Sequence, residues 1–281
     1  MAVRIVTDST ADLPLKFAHD LGISVVPLSV IFGDEVFREG VDIGHDLFYD
    51  KLVHARDLPT TSAPSVGDFL EVYEPLLKET NEIFSVHLSS KLSATYNNAC
   101  QAANILADRG ARIEVIDSQA ISLGLTFVTL AAARAAREGG DIEQIRAAVE
   151  RTVRNIRIYV MVDTLEYLRR GGRIGRARAF LGTMLRVKPL LSLRDGEVHP
   201  EERVRTKARA MERLFQIATS FPNVREMAIG YSTNPQDAHD FELRLAAAMP
   251  QVNILVTRVG PVIGTHVGPG ALAFGLLEGE E

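Results

Sequence analysis

Cysteine is nearly absent, with Cys100 the single one in 281 residues. No disulfide can close within the chain, and a cysteine-rich zinc site is excluded. A reducing cytoplasm is therefore the expected setting. A basic surplus is missing too: 31 Lys and Arg stand against 36 Asp and Glu, a net charge of −5. Nucleic-acid binding favours the opposite balance. No apolar run approaches the roughly 20 residues that span a bilayer. The opening Met1-Ala2-Val3-Arg4-Ile5-Val6-Thr7-Asp8 reaches charge too soon for a signal peptide. Catalytic signatures are also lacking. There is no Gly-x-Gly-x-x-Gly, no Gly-x-x-x-x-Gly-Lys and no Gly-x-Ser-x-Gly. The nearest stretch to the last, Gly230-Tyr231-Ser232-Thr233-Asn234, lacks the second glycine. No dense cluster of His, Asp and Glu argues for a metal.

What is present is a globular pattern, 46% hydrophobic and 24% charged, with material for a sizeable core. In the first half, apolar runs at Val3–Thr7, Ile23–Phe32, Ile83–Leu88 and Arg112–Ile116 read as strands. Helical patterns alternate with them: a helix capped by Asp12 with Pro14 in its first turn, then Asp46–His54, Val66–Thr80, Ala94–Ala107, Ser122–Glu138 and one capped by Asp141. Such alternation predicts a parallel sheet with right-handed crossovers. The second half mixes hairpins and helices. Lys188–Leu193 and Val198–Val204 flank a turn, Ala177–Leu185 reads as a helix, and Gly260–Gly270 reads as a glycine-rich loop. The expected architecture is α/β: an N-terminal α/β domain with a parallel sheet over residues 1–155, and a C-terminal α+β domain with a mixed sheet over 156–281.

Ligands of parallel sheets bind beyond the carboxyl ends of the strands. Three strands end there in hydroxyls and carboxylates: Asp8-Ser9-Thr10, Ser89-Ser90 leading to Ser93, and Asp117-Ser118. The loop Leu58-Pro59-Thr60-Thr61-Ser62-Ala63-Pro64-Ser65 sets four more hydroxyls within six residues, between two prolines. Ser, Thr and Pro are ordinary turn residues, and Ser93 at a helix start is by default a cap. Taken together they also form a set of neutral donors, joined by helix N-termini, that suits a carboxylate or phosphate. His266 sits among glycines that let a backbone approach a ligand closely. Arg169, Arg170, Arg173, Arg176 and Arg178 fall within ten residues. They form either a solvated face or a patch for an acidic or phosphorylated partner. Cys100 lies among alanines and reads as packing.

These stretches resemble the DegV family along nearly the whole chain. The resemblance rests on Thr61-Ser62-Ala63-Pro64-Ser65, Thr7-Asp8-Ser9-Thr10-Ala11-Asp12-Leu13 and Ser89-Ser90-Lys91-Leu92-Ser93-Ala94-Thr95-Tyr96. It extends through Leu165-Glu166-Tyr167-Leu168-Arg169-Arg170-Gly171-Gly172-Arg173-Ile174 to Gly260-Pro261-Val262-Ile263-Gly264-Thr265-His266. It implies a two-domain protein, without catalytic residues, metal or cofactor, that buries one long-chain fatty acid such as palmitate or oleate. The carboxylate would be held by Thr61 and Ser93, supported by Ser62, with Ala94 and His266 beside it. It also implies an acyl carrier that presents its cargo to a fatty acid kinase, met through Arg173 with Arg170 and Arg169. Ala63 and Ala94 depart from the family's frequent Gln and Gly. Ile121–Ala133, Phe180–Leu185 and Ala271–Leu276 are candidate walls for the tail. An acyl esterase or phosphotransferase using Ser93 and His266 is the alternative, and an adaptor acting through the arginines is a third reading.

Overall fold

β-branched and apolar runs need partners on both faces, and the computed structural model, which describes residues 3–182 and 187–279, shows where they find them. The first half comprises β1 (Arg4–Asp8), α1 (Leu15–Asp20), β2 (Ile23–Val26), β3 (Ser29–Phe32), β4 (Glu35–Arg38), α2 (His45–His54), β5 (Thr60–Ser62), α3 (Val66–Leu76), β6 (Glu82–His87), α4 (Thr95–Ala107), β7 (Arg112–Asp117), α5 (Leu123–Arg137) and α6 (Ile142–Asn155). Strands β2-β1-β6-β7 form a parallel sheet in that order. Its central members are buried along nearly their whole length. Helices α5 and α6 pack on one face through Leu125, Val128, Ile145 and Val149. Helices α3 and α4 cover the other through Phe69, Tyr73, Ala99 and Ala102.

The second half comprises β8 (Ile156–Met161), α7 (Glu166–Arg170), β9 (Lys188–Arg194), β10 (Glu197–Val204), α8 (Lys207–Thr219), β11 (Val224–Tyr231), α9 (Pro235–Ala248), β12 (Asn253–Arg258), α10 (Pro261–Val267) and β13 (Leu272–Glu278). Its six strands run in the order β10-β9-β8-β13-β11-β12. Only β11 and β12 pair in parallel, so the sheet is mixed, as the hairpin-rich pattern predicts. Its core includes Met161, Leu214, Phe241, Phe274 and Leu276.

Several local expectations are corrected. Ile23–Phe32 is two strands, because Pro27 interrupts the ladder and sends β3 into a separate small sheet, β4-β3-β5. Part of the hydroxyl loop is β5, paired antiparallel with β3 so that Thr61 faces Val30. Asp12 does not cap α1; it closes a 3₁₀ turn over Ser9–Ala11 with its backbone N–H. It sits at φ +50°, and α1 begins after Pro14 without a side-chain cap. Pro75 lies in the last turn of α3, which ends at Leu76 rather than Thr80. The glycine-rich stretch is the two-turn helix α10, opened by Pro261 and closed by Gly268 at φ +74°. Glycine 264 lets it pack: a Cβ there would stand 2.6 Å from the Phe48 ring. Gly175–Phe180 is a 3₁₀ turn, and residues 183–185 of the expected 177–185 helix lie outside the described residues.

Phe274 anchors the second core. It is fully buried, stacks on Tyr159 at 5.3 Å and lies 6.3 Å from Phe241. Truncation leaves a cavity in a close-packed layer, so Phe274→Ala is expected to lower unfolding free energy in urea by about 3–5 kcal/mol. A loss below about 1 kcal/mol would show that the layer collapses around the gap.

Candidate functional site

Two segments far apart in sequence meet at one hydrogen bond. The short edge strand β5 fixes Thr61, and α10 presents His266 near its C-terminal end. Thr61 Oγ1 and His266 Nε2 lie 2.9 Å apart. The other ring nitrogen, Nδ1, is buried without a partner. Glycine 171 makes room for it, since a Cβ at that position would stand 2.2 Å from Nδ1. Burial pushes the His266 pKa down to about 4, and the positive charge of Arg173 pushes the same way. The ring is therefore neutral at pH 7. An Nδ1–H would be a buried donor with nothing to accept it. The Nε2–H tautomer avoids that, donates to Thr61 Oγ1, and leaves the threonine proton free for a ligand.

A polar cavity of about 380 Å³ opens beside this pair. Thr61, Ser62, Ala63, Ser93, Ala94 and Arg173 all line it. Ser93 stands just before α4. Its Oγ accepts weakly from Thr95 N (3.3 Å) and lies 2.8 Å from Thr95 Oγ1, so it is a cap and a wall at once. Asn98 of α4 donates to Pro64 O at 2.7 Å, tying the helix to the hydroxyl segment. Ser62 is exposed and donates to Ala63 O.

Arg173 parts company with the other arginines of its stretch. Its Nε donates to Leu92 O (3.0 Å) and Nη1 to Gly171 O (2.7 Å). No carboxylate among the described residues pairs with it, so its charge faces the cavity unneutralised. Arg169 and Arg170, by contrast, share Glu166, whose pKa they hold down at about 2, and Arg176 pairs with Glu197.

A second, narrower cavity of about 100 Å³ adjoins the first. Leu92, Ile121, Arg173, Ile263 and His266 belong to both. Beyond them the walls are almost wholly apolar: Leu123 from α5, Ile158 and Val160 from β8, Leu191 from β9 and Ala273 from β13. Of the candidate tail walls, only the first residues of Ile121–Ala133 and the start of Ala271–Leu276 contribute. The rest of α5 packs between the two sheets, with Leu125 and Val128 on the parallel one and Phe127 on the mixed one. Residues 183–185 of Phe180–Leu185 lie outside the described residues.

The other hydroxyls and carboxylates at the strand ends are occupied. Asp8 accepts from Thr10 N, Leu88 N and His87 Nδ1. Asp117 accepts from Ser90 and Gln119. Sequence reasoning missed a fully buried chain, Asp8–His87–Ser85–Tyr73, with His87 Nε2 2.7 Å from Ser85 Oγ and Tyr73 donating to Ser85 at 2.8 Å. Period-two spacing of Ser85 and His87 within one strand was its only signal. It has the residue types of a hydrolase triad, but Ser85 is 0% exposed. His266 meets Thr61 rather than Ser93, so the Ser93–His266 couple of the esterase reading is not assembled here. Among the described residues no group of three or more His, Cys, Asp or Glu could hold a metal ion, and no helix is long and apolar enough to cross a membrane.

The buried neutral imidazole has a signed pH consequence. Its folded pKa lies below the unfolded value of 6.5. Between these values the unfolded chain binds the proton first, so this group's contribution to stability is intact above 6.5 and declines as pH falls towards 4. The His266 Cε1–H resonance is expected to titrate with a midpoint near 4. A midpoint near 6.5 would show the ring to be solvated.

The model of the DegV family of uncharacterised proteins matches residues 2–279. The fold is similar to a DegV-family protein from Thermus thermophilus, described for its fatty acid binding, with TM-score 0.92, 35% identity, and 99% and 100% of the two chains covered. It is likewise similar to DegV of Bacillus subtilis, described as a fatty acid binding protein, with TM-score 0.90, 33% identity, and 99% and 100% coverage. A stearic acid-binding protein from Eubacterium ventriosum matches with TM-score 0.92 at 26% identity, over 98% of each chain. The extent of these matches, over both sheets and the cavity between them, leads to one conclusion: the chain belongs to the DegV family.

Proposed function

We propose that this protein binds one long-chain fatty acid, such as palmitate or oleate, with its carboxylate in the polar cavity and its tail in the apolar one. The observation that carries the reading is that the polar and the apolar cavity share five wall residues. A molecule that fits must be charged or polar at one end and a long hydrocarbon at the other. Thr61 and Ser93 are the carboxylate donors, His266 orients Thr61, and Arg173 supplies positive charge at close range. Hydrogen bonds to a charged group contribute about 1.5–3 kcal/mol each. A buried tail contributes about 0.8 kcal/mol per CH₂, so over a long chain it dominates affinity while the polar end sets direction. The fatty acids described for the related structures support the same assignment.

In this reading the protein is a cytoplasmic carrier without a reaction of its own. The boundary between its two domains lies near residue 155, and the cargo lies between them. A fatty acid kinase would meet the carboxylate at the mouth bounded by Ser62, Ala63 and Ala94. Arg169 and Arg170 form part of the docking face, although Glu166 offsets much of their charge. Arg173 serves the ligand before any partner.

Solvent extraction and mass spectrometry of the purified protein should recover a fatty acid of about one per chain. Thr61→Ala and Ser93→Ala are each expected to weaken oleate binding about ten- to a hundred-fold while leaving the melting temperature nearly unchanged. Failure to recover or take up any fatty acid would sink the reading. Loss of melting temperature with binding intact would assign the two hydroxyls to structure.

A further inference from the structure

Two buried carboxyls take no part in either cavity's polar wall. Asp12 follows β1 and Glu39 follows β4, and they are 8% and 6% exposed. They meet on either side of Gly260, the residue that precedes α10. Gly260 N donates to Asp12 Oδ1 at 2.9 Å, and Val262 N donates to Glu39 Oε1 at 2.9 Å. Pro261, between them, has no N–H to offer. A Cβ on Gly260 would stand 2.4 Å from Glu39 Oε1 and 2.8 Å from Asp12 Oδ1, so both carboxyls press directly against the backbone.

The grip reaches both parts of the ligand site. Through α10 it reaches His266. Through Ser122 Oγ, which donates to the other oxygen of Asp12, it reaches a wall of the apolar cavity. Ser122 itself sits at φ +52°, a strained value for a serine, and its N–H donates to Thr10 O. The remaining oxygen of Glu39, Oε2, is buried with no partner.

Among the described residues no cation balances the pair. Arg258 of β12 lines the same cleft, but its guanidinium donates to Asp46 and to Ser232 O. His45 of α2 places Nε2 at Arg258 O, and burial lowers its pKa. Tyr49, also of α2, stays protonated and donates to Val259 O. Asp8, at the end of β1, is the remaining ionisable neighbour and adds negative charge. Two full charges on Asp12 and Glu39 would therefore repel across Gly260, where both side chains are buried.

We propose that Asp12 and Glu39 are positioning residues for the head-group site: together they clamp the first turn of α10 and so hold His266 against Thr61. The inference rests on reading the polar cavity as the fatty acid's carboxylate site. Burial raises the Asp12 pKa to about 7, with the Asp8 charge adding, and the Glu39 pKa to about 8, with the Asp12 charge adding. Near neutrality the pair stays partly protonated, and the clamp is closed. As pH rises through 8 both ionise; each oxygen still accepts, but the two like charges repel across Gly260, which would spread the clamp and loosen the His266–Thr61 contact. The stability sign agrees. Folded carboxyl pKa values above the unfolded ones make a contribution that is full at low pH and lost as pH rises through 7 and 8.

The test follows oleate affinity and the His266 Cε1–H resonance from about pH 7 to 9, across the window of the pair, in wild type, Glu39→Gln and Glu39→Ala. In wild type, affinity should fall and the resonance should shift across this range. Glu39→Ala removes the acceptor for Val262 N and should bind oleate about ten-fold more weakly at neutral pH. Glu39→Gln keeps an oxygen there but cannot ionise. It should recover most of what alanine loses and flatten both pH responses. An unchanged pH response in Glu39→Gln, or wild-type affinity in Glu39→Ala, would overturn the clamp. If Glu39→Ala does not fold, the comparison of Glu39→Gln with wild type decides alone. If the wild-type protein takes up no oleate, the carboxylate-site reading fails, and the His266 resonance still tests the clamp by itself.

Discussion

A buried backbone N–H without an acceptor costs about 1–3 kcal/mol, and at the start of α10 those of Gly260 and Val262 are among the ones no helical carbonyl can reach. Carboxyls from two other parts of the chain satisfy them. Much of the site depends on that arrangement. The last helix docks onto the first half of the chain, Gly264 lies against Phe48 and Tyr49, and His266 arrives at Thr61 across 205 residues of sequence. The same docking closes one side of both cavities, because Ile263 and His266 line each of them. The acceptors are acids without a counter-cation, so the anchor also carries a pH dependence.

Polar and apolar demands are separated in space. Hydroxyls, the Arg173 charge and a neutral imidazole gather at one end, and beyond Ile121 and Ile263 the lining is hydrocarbon. Such a division suits a ligand whose affinity comes from its tail and whose orientation comes from its head. It also explains why neutral donors suffice for most of the polar end. A wall of fixed cations would attract small anions, whereas hydroxyls discriminate by direction. Arg173 adds the charge at one point and, after burial, is the second influence that keeps His266 neutral beside the Thr61 oxygen.

The Asp8–His87–Ser85–Tyr73 chain shows why residue types alone do not define chemistry. Every member has a hydrogen-bond partner, and Ser85 has no access to solvent or to either ligand cavity. Its effect is to fill the interior between β1, β6 and α3 with satisfied polar groups, which constrains packing more tightly than hydrocarbon would. Ser93, more exposed and bonded only within its own turn, remains available to a ligand.

Periodicity in the sequence determined the alternation that makes the parallel sheet, the hairpins that make the mixed one, and most helix limits to within a few residues. Those are local consequences of where apolar side chains recur. Residue type and motif likewise singled out Thr61, Ser93 and His266 as one set. Tertiary structure decided the rest. The hydroxyl loop gains an edge strand only because β3 stands beside it. The 260–270 stretch is helical only because other segments supply acceptors for its first turn and space for its glycines. Asp12 reads locally as a helix cap, yet its carboxyl serves a backbone 248 residues away. Arg173, one of five similar arginines by sequence, is turned towards the cavity by the carbonyls of Leu92 and Gly171. Hydrogen bonds between distant segments have no periodic trace in a sequence, and that is why the elements were legible there and their meeting points were not.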